Sequence, residues 1–81
     1  MGRTVPTVRQ SMEALSAKLQ KMAQIMNSGD SELLTSVLVK GRRHAHEVSY
    51  SDIEVGYGFL ISIIIELERE IRELKAEKPH E

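Results

Sequence analysis

The chain has no cysteine, which removes disulfides and cysteine-ligated zinc as sources of stability. Its aromatic residues are only Tyr50, Tyr57 and Phe59. Single-stranded nucleic acid is gripped on aromatic stacking platforms, so binding of that kind is not expected. Charge of one sign is missing too: 11 basic and 12 acidic residues leave a formal net charge of −1. No global field draws such a chain to nucleic acid or to a membrane surface. Nor is there a long apolar run. Val55–Ile65 spans 11 residues and is broken by two glycines and a serine, whereas a membrane span needs about 20 apolar residues. The opening MGRTVPTVRQ has no apolar signal core, so a soluble cytoplasmic protein with no membrane contact is expected. No Gly-x-Ser-x-Gly elbow marks an activated nucleophile. No cofactor is implied, and no enzymatic activity is expected.

Against these absences stand three stretches with helical periodicity and none with sustained strand-like alternation. The expected fold class is all-α, with residues 1–81 forming one domain of three helices at about 6–27, 31–47 and 51–78 and with frayed ends. Pro6 suits a first turn, and Thr7 with Gln10 forms a capping-box pattern. Val8, Met12, Leu15, Leu19, Met22 and Met26 then recur at alternating spacings of four and three, one stripe along one face. Asn27-Ser-Gly-Asp30 punctuates, with Gly29 suited to a left-handed C′ position and Asp30 to the next N-cap. The second stripe is Leu34, Leu38, Gly41, Ala45 and Val48, whose small members permit close approach by another helix. Ser51-Asp-Ile-Glu54 is a second capping-box pattern, and Pro79 ends the third helix.

The third helix carries the most regular pattern. Tyr57, Ile64 and Ile71 occupy heptad a positions, and Ile53, Leu60, Leu67 and Leu74 occupy d positions. From Leu67 onward only this seam is apolar, and Glu66, Glu68, Glu70 and Glu73 alternate with Arg69, Arg72 and Lys75 as a solvated face. Glu68 and Arg72 fit an i,i+4 pair, and Glu70 with Lys75 fits a pair between chains. Before Leu67, Phe59, Ile61, Ile63 and Ile65 lie off the seam, so the helix is apolar nearly all round and needs neighbours on every side. Two helices of the same chain cannot supply them all. A chain of this length without disulfides generally leans on a partner. A homodimeric helical bundle is therefore expected, with Ile53, Tyr57, Leu60, Ile61, Ile63, Ile64, Leu67, Ile71 and Leu74 in the interface. Isoleucine at a with leucine at d favours two parallel strands, although the pattern alone leaves antiparallel pairing and a tetramer open.

Chemistry-bearing clusters are sparse. His44 and His46 are two apart and diverge by about 200° on a helix. His44 and Glu47 share a face, as a metal or hydrolytic site requires, but they lack a third group, and no metal site is assigned. A half-buried histidine with a hydrogen-bond partner reads the same pattern. Lys40-Gly-Arg-Arg-His44 is a short basic patch that, with Arg3 and Arg9, offers contacts to nucleic-acid phosphates through Lys40, Arg42 and Arg43. The same residues also suit the negative end of a helix dipole. Gly56 and Gly58 point to close helix approach or a late helix start.

Met1-Gly-Arg-Thr-Val-Pro-Thr-Val-Arg9, the Arg42-Arg-His-Ala45 segment and the apolar Phe59-Leu-Ile-Ser-Ile-Ile-Ile-Glu-Leu-Glu-Arg helix resemble small uncharacterised archaeal proteins that open MGRTxP[ST]xR. The resemblance implies an archaeal source and an all-helical fold, and marks Arg3, Pro6, Arg9, Arg42 and His44 as positions to test. His46 departs from the pattern. No function comes with it. The sequence thus reads as a dimeric structural or interaction module that binds another macromolecule, its protein partner unspecified. The alternatives are nucleic-acid association through the basic patch and metal-dependent or hydrolytic activity around His44 and Glu47.

Overall fold

A computed structural model describes residues 6–77. The expected fraying of residues 1–3 and 78–81, the stop at Pro79 and the position of Arg3 lie outside this span. All regular structure within it is helical: α1 (Val8–Ala23), α2 (Ser28–Leu38), a 3₁₀ turn (Val39–Arg42), α3 (Ala45–Ser51) and α4 (Val55–Glu77).

The capping box at the start of α1 is formed. Gln10 N–H donates to Thr7 Oγ1, and Thr7 N–H donates to Gln10 Oε1, both at 3.0 Å. The helix ends at Ala23, earlier than the expected Asn27, because the bonds at Gln24, Ile25 and Met26 tighten to carbonyls three residues back. The cap of α2 is Asn27, not Asp30: Asn27 Oδ1 accepts from Asp30 N–H at 2.8 Å. Gly29 therefore sits inside the first turn of α2, without positive φ.

The expected second helix is three pieces, so the described residues form four α-helices rather than three. The break falls where the backbone must lie flat on α4. A Cβ on Gly41 would stand 2.4 Å from the Phe59 ring, and Lys40 C=O accepts the Ser62 hydroxyl at 2.8 Å instead of continuing an α ladder. Despite the break, the stripe keeps its face: Leu38, Gly41, Ala45 and Val48 are all buried. The Ser51–Glu54 capping box does not form. Ser51 closes α3, Asp52 turns the chain at φ 58°, and α4 starts at Val55. Aspartate tolerates this left-handed conformation better than most non-glycine residues. Glu54 caps α4 instead, its carboxylate accepting from Tyr57 N–H at 3.1 Å.

Met12, Leu38, Ala45, Val48 and Phe59 form the core, with Val8, Leu15, Leu19, Leu34, Val55 and Ile63 packed around it. Each helix contributes at least one buried side chain, yet the molecule is thin. Its extents are 66 × 33 × 13 Å and its radius of gyration is 15.7 Å, against about 12 Å for a compact chain of this length. A slab of this thickness cannot enclose α4 on all sides.

Candidate functional site

Helix α4 has two long faces of opposite character. The inward face is Val55, Phe59, Ser62 and Glu66, spaced four and three like the heptad seam but far more polar. Phe59 is fully buried under Gly41, and Gly58 lets α3 close on α4, since a Cβ there would stand 2.5 Å from Val48 Cγ1. Gly56 has no such neighbour; an added Cβ would meet only the Glu54 side chain, at 3.0 Å.

Glu66 anchors the polar end of this face. It is 5% exposed, which corrects the expectation of a solvated side chain. The turn between Arg42 and α3 brings two side chains over it: His44 Nε2 lies 2.8 Å from Glu66 Oε2, and Arg43 donates to Oε1 at 3.1 Å. Because a carboxylate only accepts, His44 donates to it through Nε2–H. Arg69, one turn along α4, approaches both carboxylate oxygens at 3.4 and 3.5 Å. The His44 hydrogen bond, helped by Arg69 and Arg43, holds the Glu66 carboxyl below its ordinary value, against the opposing effect of burial. One turn further, Lys40 Nζ pairs with Glu70 Oε2 at 2.9 Å. Glu70 therefore has a partner within its own chain.

These contacts change the reading of the basic patch. Lys40 and Arg43 meet Glu70 and Glu66, and only Arg9 and Arg42 of the expected described phosphate contacts are outside these pairs. His44 Nδ1 stands 3.8 Å from Glu47 Oε1, the shared face that the spacing indicated. His46 is exposed and apart from them. Among the described residues, no three His, Asp or Glu side chains converge as a metal site. No described helix is long and apolar enough to cross a membrane.

The outward face is the heptad seam. Ile53, Tyr57, Leu60, Ile61, Ile64, Leu67, Ile71 and Leu74 are all exposed, with Leu60 at 53%, Ile64 at 57% and Leu74 at 64%. Of the nine residues expected at the interface, Ile63 differs: it packs against the core. Shallow apolar grooves flank the first half of the seam. One of about 290 Å³ runs between α1 and α4 along Leu15, Leu19, Tyr57 and Leu60. The other, about 180 Å³, runs between α3 and α4 along Val48, Ile53, Ile61 and Ile65, with His44 and Glu47 at its edge.

Sequence reasoning found the seam and missed the Glu66 clasp. The signal was present: residues 55, 59, 62 and 66 are as regularly spaced as the seam, and a serine and a glutamate disguised them as surface. No curated protein and no solved structure matches the chain. A family profile does, over residues 1–80, and the chain belongs to that family, described as a domain of unknown function (DUF8156).

Proposed function

We propose that this protein is a homodimeric interaction module, and that the macromolecule bound along α4 is a second copy of the chain. One observation carries the reading: an unbroken a/d heptad seam stays exposed along α4 while the chain's own core takes the opposite face. Contiguous apolar surface of this extent is uncommon on a monomer.

Surface area supports the same reading. The chain exposes 6565 Å², where a compact protein of 9.2 kDa exposes about 4,900 Å². The surplus reflects the thin, elongated shape, which leaves surface to spare for a partner. The flanking grooves widen the apolar face, one on the side of Leu15 and Leu19 and the other on the side of Ile61 and Ile65.

Sedimentation equilibrium on the unmodified chain, from 1 to about 100 μM, tests the proposal. The expected mass is that of two chains, about twice 9.2 kDa. A single-chain mass across that range overturns it.

A further inference from the structure

We infer that the two copies of α4 run parallel and in register, so that both α1–α3 lobes lie side by side at one end of a two-helix stalk. The inference rests on the self-association proposed above and adds its direction. Three features of the exposed face point the same way.

The first is the residue choice within the seam. The a positions 64 and 71 are isoleucine, and the d positions 60, 67 and 74 are leucine. A β-branched residue at a with leucine at d favours two parallel strands, because each layer then pairs a with a and d with d. Antiparallel packing mixes a with d and draws no benefit from the segregation.

The second is width. Around Leu60 and Ile64 the exposed face is broad, because Ile61 and Ile65 are exposed beside the seam. Beyond Leu67 it narrows to a and d alone, bordered by Glu68, Glu70 and Lys75. Parallel pairing sets broad on broad and narrow on narrow. Antiparallel pairing with full overlap sets Ile61 against Glu68 of the other copy, twice, leaving an apolar side chain facing a carboxylate.

The third is charge. Parallel registry carries Lys75, at e, to Glu70, at g, of the other copy. Glu70 already receives Lys40 at 2.9 Å, and a carboxylate can accept from both cations. Antiparallel overlap would offer Lys75 the Glu54 carboxylate, but that group is engaged in capping α4 through Tyr57 N–H.

The functional consequence is bivalency. With both lobes at one end, any ligand contacted by one lobe meets its twin at a short fixed distance, which raises avidity without new contacts.

The absence of cysteine makes the direction testable in the full-length chain. Leu74→Cys adds one thiol to the exposed d position near the end of the stalk. Under mild oxidation, parallel pairing brings the two thiols together, and Leu74→Cys should give at least about tenfold more disulfide-linked dimer than Glu73→Cys, whose thiol lies off the seam. Antiparallel overlap places residue 74 opposite residue 57, about 25 Å from its twin. Sedimentation of each variant accompanies the cross-linking. A two-chain mass without Leu74→Cys linkage overturns the parallel arrangement and leaves self-association standing; linkage in an equal mixture of Tyr57→Cys and Leu74→Cys chains then identifies the antiparallel one. A single-chain mass without linkage overturns both.

Discussion

The two faces of α4 invert the usual allocation of burial. The face turned into the protein carries a glycine, a serine and a glutamate beside one phenylalanine, and all four are buried. The face turned outward carries isoleucine and leucine at almost every seam position, and these are exposed. Hydrophobicity alone would rotate the helix the other way. What holds it in place is fit: Gly41 and Gly58 clear space for Phe59 and Val48, and Ser62 and Glu66 find donors and acceptors on the turn before α3. Buried polar groups are tolerated when satisfied, and none of the buried side-chain polar atoms among the described residues lacks a partner.

The comparison can be broken from either side. The largest effect belongs to Phe59→Ala, which empties the fully buried centre of the inward face. It should destabilise the fold by about 3–5 kcal/mol, read by urea denaturation, with the loss present at every protein concentration. On the outward face, Ile64→Glu should leave the helical circular-dichroism spectrum intact and weaken self-association by about a hundredfold. If the chain is the proposed homodimer, the unmodified protein's melting temperature should rise with concentration and the variant's should not. Equal effects of the two substitutions on the single chain would erase the distinction between the faces.

A third measurement sharpens the inward face by pH. The folded-state Glu66 carboxyl lies below its ordinary value of 4.5. The stabilisation it gives is therefore complete above that value and is lost as pH falls through the lowered one. Melting temperature should fall more steeply below about pH 4.5 in the unmodified chain than in Glu66→Gln; parallel slopes would remove Glu66 from the account. The smallest effect lies on the solvated edge. Arg72→Ala breaks the 2.8 Å pair with Glu68, an exposed i,i+4 contact worth about 0.3–0.5 kcal/mol, near the detection limit of thermal melts.

Much of this was legible in the residues. Periodicity located the stripes on α1 and α4 and kept Leu38, Gly41, Ala45 and Val48 on one face although the helix carrying them breaks. The break itself was not legible, because it comes from contacts across the chain: the Lys40 carbonyl is taken by Ser62, 22 residues away. The caps show the same limit. Thr7 and Gln10 act as their spacing indicates. Ser51 does not, because Asp52 turns the backbone before a cap could form. Glu66 was the largest miss. A charged residue among others reads as surface until the elements that cover it are in place, and His44 and Arg43 reach it only after the chain has folded back.

The Glu66 clasp also fixes the rotational phase of α4. Consecutive helical residues are 100° apart, so a slip of one residue would carry Glu66 away from Arg43 and His44 and bring a seam residue toward the core. Such a slip would take the Glu66 carboxylate from its donors and break the Ser62 bond to Lys40. The polar residues of the inward face thus act as an index mark: they let the helix settle in one angular setting, the one that keeps its greasiest side turned out.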